Sequence, residues 1–331
     1  MKPAIAFVTG GYSGEAEISY KSALTIENNI DRDAFAVYKI DITPEGWWYR
    51  PADGSAPVIV DKSDFSITEN GSRITFDAVL MGIHGTPGED GRLQGYFDLL
   101  KMPYTSCDTA TSAITFNKRY TVAVAAFSGL SVSRSLHIFR HAPPAPESIL
   151  KELKLPLFVK PNNGGSSIGM SRVNKAEDLT AALEKAFLED DQVLVEEFIE
   201  GREFTIGVYR SKGTIVTLPI TEIKTSKEFF DFEAKYSAGV TEEITPALVE
   251  EPIAEKIRAA AKKIYAIFNC RGVVRIDFIY NEAAEAPYML EINTVPGQSE
   301  ASIVPQQIKA AGGTLKEFYT SLILECLGSD S

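Results

Sequence analysis

Val273-Val274-Arg275-Ile276-Asp277-Phe278-Ile279 and Tyr288-Met289-Leu290-Glu291-Ile292-Asn293 are the stretches on which the fold turns. Both are rich in β-branched and aromatic residues and alternate with period two, so both read as strands. That period puts Arg275 and Asp277 on one face of the first strand, and Glu291 and Asn293 on one face of the second. Residues 281–287 read as a loop-like connection. An antiparallel pairing centred on residue 284 sets Asp277 opposite Glu291 and Arg275 opposite Asn293. Two carboxylates, an amide and a cation then share one sheet face. Hard oxygen donors suit Mg²⁺, which takes few protein ligands and keeps water and phosphate. Taken alone, the same face is equally compatible with ordinary ion pairs on a solvated sheet.

Outward from this hairpin, a strand is expected over 214–221, then a long polar-aromatic stretch, 224–243, with no clean period. Stretches of that kind in compact domains often act as lids. Residues 252–268 read as a helix: Ile253, Ile257, Ile264 and Phe268 share a face, Glu250 and Glu251 precede it, and Lys262 and Lys263 sit near its end. Those charges complement the helix dipole. Upstream, strands over 157–160 and 168–173 flank Pro161-Asn162-Asn163-Gly164-Gly165-Ser166-Ser167. Glycines let a backbone approach an anion, and serine hydroxyls add donors. The Walker A order is missing, so a phosphate-covering hairpin and a plain flexible turn both stay open. Helices over 117–127, 148–153 and 176–188, with strands over 193–196 and 203–209, make the middle unit mixed α+β. His137 and His141 fall in or just beyond a weakly alternating stretch, 130–139, with no acid close in sequence, and are expected at the surface.

The first third alternates strands (4–9, 37–42, 78–83) with helices (18–30, 91–100). A turn at Thr43-Pro44-Glu45-Gly46 precedes a returning strand over 47–49. The βαβ rhythm predicts a parallel-sheet α/β domain, in which ligands bind beyond the carboxyl ends of the strands. Glu15 lies in one such loop, either as a helix-start carboxylate or as a receptor for a ligand ammonium. His84 lies in another, either structural or polarising a substrate. Neither loop has the G-x-G-x-x-G spacing that a nicotinamide-dependent oxidoreductase would need.

The chain has 331 residues, enough for two or three domains or subdomains, with 44% apolar and 24% charged residues as in ordinary globular proteins. Its net charge of -12 argues against nucleic acid as a main partner. Cys107, Cys270 and Cys326 are widely spaced, which fits a reducing compartment better than a disulfide framework. No apolar run approaches the roughly 20 residues of a membrane span, and no secretion signal is read at the start. A cytoplasmic protein is expected.

In order, the chain carries GGYSGEAEIS (10–19), IHGTPGEDGRLQGYFDLLKMPYTS (83–106), FNKRYT (116–121), VKPNNGGSSIGMS (159–171), VLVEEFIEGREFTI (193–206), FEAKYS (232–237), RIDF (275–278) and LEINTVPGQSEASIVPQ (290–306). This ordered set resembles the D-alanine–D-alanine ligase family of ATP-grasp enzymes. The resemblance implies an α/β N-terminal parallel-sheet domain (1–116) followed by two α+β subdomains forming an ATP-grasp fold. These are a central one with the glycine-rich hairpin (117–205) and a C-terminal one with the metal site and lid (206–331). It implies ATP-dependent ligation of two D-alanine molecules for peptidoglycan precursors, two Mg²⁺ ions (or Mn²⁺), and a homodimer.

The resemblance also assigns roles. Lys118 and Lys160 match phosphate-holding lysines, with Ser166 and Ser167 in the hairpin. Glu196, Glu197 and Ile199 lie where adenine is met, and Glu203 matches a ribose-binding carboxylate. Asp277, Glu291 and Asn293 match metal ligands. Glu15 resembles the receptor of the first D-alanine's ammonium, with His84 near that substrate. Arg275 and the Gly297 N–H resemble stabilisers of developing negative charge. Ser302 resembles a residue that binds the second substrate's carboxylate, at the start of a helix beginning there. Ser166, Tyr236 and Glu15 match a set that locks the 224–243 lid, from which Lys235 touches phosphate. Tyr236 favours D-alanine as second substrate; D-alanyl-D-lactate or D-alanyl-D-serine is the alternative product. Gln298-Ser299-Glu300-Ala301 departs from the family, where apolar, hydroxyl and His residues are usual, and Glu300 is the least expected. Tyr12, Trp47 and Trp48 are expected in packing. A non-catalytic nucleotide-binding protein would need neither Glu291 nor Arg275.

Overall fold

The computed structural model describes residues 2–165, 168–225 and 241–328. The chain opens with β1 (Ala4–Gly10), α1 (Ala16–Asn29), β2 (Ala36–Thr43), β3 (Gly46–Tyr49) and β4 (Val58–Ile59). It continues through β5 (Ile67–Glu69), β6 (Ser72–Ile74), β7 (Ala78–Met81), α2 (Arg92–Leu99) and α3 (Thr109–Phe116). The main sheet has the order β4-β3-β2-β1-β7. β1 is central and parallel to both β2 and β7, and Ile5, Ala6, Phe7 and Val8 are fully buried. A strand covered on both faces needs such a continuous apolar run.

The centre of the sheet is parallel, as the βαβ rhythm predicts, and the returning strand expected over 47–49 adds an antiparallel edge. β3 and β4 pair antiparallel on its edge, because a tight turn can only return a strand antiparallel. Sequence periodicity also passed over β5, β6 and α3. β5 and β6 form a hairpin whose turn residues, Asn70 and Gly71, both have positive φ, a short-turn signal. α3 is capped by Asp108, whose Oδ1 accepts from the Thr111 N–H at 2.9 Å.

The middle of the chain holds α4 (Lys118–Phe127), β8 (Ser135–Phe139), α5 (Pro146–Glu152), β9 (Leu157–Pro161), β10 (Ser171–Val173), α6 (Leu179–Glu189) and β11 (Gln192–Glu197). Its sheet has the order β10-β9-β11-β8, all antiparallel. α5 and α6 cover one face through Ile149, Leu179 and Leu183 against Val159, Val193 and Val195. The helix expected over 176–188 begins as a 3-10 turn, Ala176–Asp178, and the return strand is shorter than 168–173. His141 is exposed, but His137 is half-buried rather than at the surface, since it lies beside the buried Ile138 on a paired strand.

The last part contains β12 (Arg202–Ser211), β13 (Thr214–Thr217), β14 (Thr221–Thr225), β15 (Thr241–Ile244), α7 (Glu251–Ile267), β16 (Val273–Asn281), β17 (Ala286–Asn293), α8 (Ile303–Ala310) and α9 (Leu315–Leu327). The strand expected over 214–221 is two strands, paired with opposite ends of β12. The break falls at Leu218-Pro219-Ile220, where proline cannot donate to a ladder. The ends of the 224–243 stretch are paired strand, β14 with β15. α7 packs Ala254, Ile257, Ala261, Ile264 and Tyr265 into the core that also holds Phe204, Ile206, Val274 and Ile276. Each side chain of this size adds about 1.5–3 kcal/mol on burial.

β16 and β17 pair as expected, with Arg275 opposite Asn293 and Asp277 opposite Glu291. The register then shifts between Asp277 and Phe278, so Phe278 faces Met289 and the strands run on to Asn281 and back from Ala286. α9 returns to the start of the chain. Its Phe318, Tyr319 and Leu322 join Ile5, Phe7, Ile26 and Leu80 in one core. The turn carrying residues 294–302 is thereby held against α1 and the end of β7.

Candidate active site

One cleft of about 1020 Å³ is bordered by strands of the second and third main sheets and by α1 and the 84–91 loop of the first domain. Arg275, Asp277, Glu291 and Asn293 line it together. Arg275 donates from Nε to Asp277 Oδ1 at 2.9 Å and from Nη2 to Asp277 Oδ2 at 2.8 Å, the paired geometry in which guanidinium and carboxylate bind most strongly. Thr205 donates its hydroxyl to Asp277 Oδ1, and Asn293 Nδ2 lies 3.2 Å from Asp277 Oδ2. Burial alone would lower the Arg275 pKa, but the charges of Asp277 and Glu291 outweigh it and raise it. The guanidinium therefore stays charged at the cleft wall.

Among the described residues, no three of His, Cys, Asp and Glu converge as a metal cluster. Here the donor set is two carboxylates and an amide. Asn293 turns its nitrogen to Asp277, so its oxygen is the end left for a cation. An all-oxygen set this small fits a divalent ion that keeps water and phosphate as its other ligands.

β9 and β11 build the opposite wall. Lys160 and Glu196 form an ion pair across these strands, both largely screened from solvent. Lys118, in the first turn of α4, donates to the Gly164 carbonyl at 2.7 Å and so meets the glycine-rich hairpin at its tip. Ile199, just beyond β11, lines the same wall, and Glu203, on β12, lines the cleft from the sheet that carries Arg275. Glu197 borders it too, but its carboxylate accepts from the Lys154 N–H at 2.9 Å and its own N–H goes to the Arg134 carbonyl. Its polar groups are thus turned to the protein. Ser166, Ser167, Lys235 and Tyr236 lie outside the described residues.

Glu15, the residue just before α1, stands between two loops. A Cβ at Gly85 would come 2.2 Å from Glu15 Oε2, and one at Gly165 would come 2.6 Å from Glu15 Oε1. Only glycine at both positions lets this carboxylate sit between the 84–91 loop and the hairpin. His84 is buried, with both ring nitrogens engaged: Nδ1 lies 2.7 Å from the Val295 carbonyl and Nε2 2.8 Å from Ser22 Oγ. A carbonyl only accepts, so Nδ1 carries the proton and Nε2 accepts from the serine. Burial, with help from the Arg275 charge, pushes the imidazole pKa down to about 4, against the bond to Val295. His84 is a neutral peg between α1, the 84–91 loop and the 294–302 turn.

That turn brings Gly297, Ser299 and Ser302 to the cleft. A Cβ at Gly297 would lie 2.8 Å from Ser302 Oγ, so the close approach needs glycine. Ser302 is the residue preceding α8. Its hydroxyl pairs with Ser299 Oγ at 2.7 Å instead of capping the helix. The first-turn N–H groups of α8 are thereby left to face an anion. Glu300 is exposed, and Gln298 is buried behind the turn.

A family model for the D-ala D-ala ligase N-terminus matches residues 4–107, and one for the D-ala D-ala ligase C-terminus matches residues 117–324. The chain belongs to the D-ala D-ala ligase family. It is 43% identical over 323 residues to the D-alanine–D-alanine ligase of Phocaeicola vulgatus, covering 98% of this chain and 99% of that one. Among solved structures, it resembles D-alanyl-alanine synthetase A from Vibrio cholerae, with a TM-score of 0.87, 27% identity, and 99% of both chains covered. It also resembles the VanG D-Ala:D-Ser ligase from Enterococcus faecalis, with a TM-score of 0.86, 31% identity, and 98% and 99% covered.

One residue of this ligase cleft was not singled out from sequence. Glu89 borders it, half-buried, accepting from the Gly85 N–H at 2.7 Å and the Val295 N–H at 3.0 Å. Burial and the neighbouring Glu15 charge push its pKa up to about 8, against those two bonds. Two crowded carboxylates are relieved by a cation. The signal available was its place five residues after His84 in a glycine-rich loop.

Proposed function

We propose that this chain joins two D-alanine molecules into D-alanyl-D-alanine, with ATP converted to ADP and phosphate, for peptidoglycan precursors. What carries the proposal is the single cleft that gathers the Arg275–Asn293 sheet face, the Lys118–Lys160 wall and the Glu15–Ser302 corner. Amide formation from a carboxylate is uphill in water, so the carboxylate must first be activated. The first D-alanine's carboxylate oxygen attacks the γ-phosphorus, ADP leaves, and D-alanyl phosphate results. The second D-alanine's amine then attacks the carbonyl carbon, and the tetrahedral species expels phosphate.

Lys118 and Lys160 hold phosphate, aided by Ser166, Ser167 and Lys235. Glu196 and Ile199 meet the adenine beside Glu197, and Glu203 meets the ribose. Glu15, next to Glu89, receives the first substrate's ammonium. Arg275 and the Gly297 N–H face the oxygen on which charge develops, where fixed donors act most strongly. Ser302 and the start of α8 receive the second carboxylate. Ser166, Tyr236 and Glu15 close the site, since water would hydrolyse an acyl phosphate. Asp277, Glu291 and Asn293 would hold two Mg²⁺ ions, or Mn²⁺, which when bound offset phosphate charge.

We assign residues 1–116, 117–205 and 206–331 to an N-terminal domain and two ATP-grasp subdomains. A homodimer through the first of these fits Tyr20, Leu24 and Leu99, apolar side chains exposed on α1 and α2. The protein is placed in the cytoplasm, and no described helix is long and apolar enough to cross a membrane. The test is phosphate release with ATP, Mg²⁺ and D-alanine, with product mass read by chromatography, repeated with D-serine or D-lactate added. Release matched by D-alanyl-D-alanine is expected. Preferential mixed product would shift the assignment to the D-serine or D-lactate alternative, and no release with any of these substrates would refute the proposal.

A further inference from the structure

Gln298 departs from the apolar character usual at its position, and its side chain points away from the cleft. Gly297 and Ser299 on either side line the cleft, while Gln298 is 6% exposed and lies behind them. Its side chain and backbone make three hydrogen bonds. The backbone N–H donates to Ser22 Oγ at 3.0 Å, Nε2 donates to the Pro296 carbonyl at 3.0 Å, and Oε1 accepts from the Tyr319 hydroxyl at 3.2 Å. Ser22 accepts from Gln298, so its one proton is free for His84 Nε2 at 2.8 Å, and His84 Nδ1–H closes the chain on the Val295 carbonyl. The bonds run in one direction from α9, through the turn and α1, back to the turn. Each donor has an acceptor.

We propose that Gln298 and Tyr319 are positioning residues for the second-substrate subsite. They hold residues 295–302 in the one conformation that presents the Gly297 N–H and the Ser299–Ser302 hydroxyl pair to the cleft. The inference rests on the ligase reading for the identity of that substrate, but the buried network itself does not. Interiors penalise an unpaired polar group more than they reward a paired one. Removing the Tyr319 hydroxyl strands Gln298 Oε1, and the amide must turn or draw in water. Either response displaces the turn on which the subsite is built. Removing both partners removes the stranded Oε1 and leaves only the Pro296 carbonyl without its Nε2 donor, so the pair couples non-additively.

The experiment compares wild type, Tyr319→Phe, Gln298→Met and the double variant Gln298→Met/Tyr319→Phe in amide hydrogen exchange and in steady-state kinetics. In Tyr319→Phe, exchange at residues 294–302 is expected to rise about tenfold, with residues 273–281 unchanged. The KM for the second D-alanine rises by about the same factor while the KM for ATP holds. The double variant is less impaired than the two single variants summed. Unchanged exchange at 294–302 overturns the proposal whatever the wild type catalyses. So does a lowered thermal midpoint with both KM values unmoved, or a double variant as impaired as the sum of its parts. Absence of D-alanyl-D-alanine from the wild type would instead count against the ligase reading, which the exchange data do not need.

Discussion

The Arg275–Asn293 sheet face and the Glu15–His84–Gly297 corner line the same cleft but are built in opposite ways. The first is local: Asn293 meets Asp277 sixteen residues away, across one antiparallel ladder. The second is assembled at a distance, with His84 bonded to a carbonyl 211 residues along the chain. On the sheet face, position follows from strand register. At the corner it follows from α9 folding back over β1 and α1. On the proposed reading, chemistry that needs rigid charge sits on the ladder, and recognition of small substrate groups sits where three segments meet.

This contrast can be broken experimentally. Arg275→Ala should have the largest effect, lowering turnover by about 10³-fold with the fold intact, checked by phosphate release and circular dichroism. Asp277 keeps Thr205 and Asn293 as partners, so the strand pair survives, and normal turnover would remove the face from the chemistry. Glu15→Gln should lower kcat/KM by about 10²-fold, chiefly through the first-site KM. An unchanged first-site KM would detach the corner from ammonium recognition.

A subtler effect follows from the neutral His84. Its folded pKa of about 4 lies below the ordinary histidine value of 6.5. Between those values the unfolded chain binds more protons, so stability falls as pH drops from 6.5 toward 4 and is unaffected by this group above 6.5. Glu89 acts in the opposite sense. Its raised value of about 8 lies above 4.5, so its contribution is lost as pH rises through that range. The difference between wild type and His84→Gln isolates the histidine. That gap should narrow by roughly 3 kcal/mol as pH falls from 6.5 to 4 in denaturant titrations. A pH-independent gap would mean that the imidazole is not held neutral. The smallest effect is expected at Glu300, which is exposed. Glu300→Ala should shift stability by less than about 0.5 kcal/mol and leave the product unchanged; a changed product would put this side chain into second-substrate choice.

The sheet face was legible because period two and a hairpin centre are enough to pair Asp277 with Glu291. Only the shift beyond Asp277 escaped, since a bulge depends on how the two strands twist against their neighbours. The mixed character of the first sheet was half visible in the Thr43–Gly46 turn. His84 drew notice as a candidate for touching substrate, yet both its nitrogens are spent on the protein. Nothing in its loop reveals Ser22 or Val295, which reach it only through tertiary packing. Glu89 stayed hidden for the same reason: a carboxylate in a glycine-rich loop gives no sign of the Val295 N–H that reaches it from the far end of the chain. Gln298 was visible as a departure, but its role depends on Tyr319 arriving from the last helix.

The central claim is that one cleft activates a carboxylate as an acyl phosphate before the second amine attacks. D-alanine labelled with ¹⁸O in its carboxylate tests this most directly. The attacking oxygen becomes the bridge to phosphorus and departs with phosphate when the peptide bond forms. One ¹⁸O per turnover should therefore appear in inorganic phosphate, with the other retained in the D-alanyl-D-alanine carbonyl. Unlabelled phosphate alongside formed dipeptide would contradict the account.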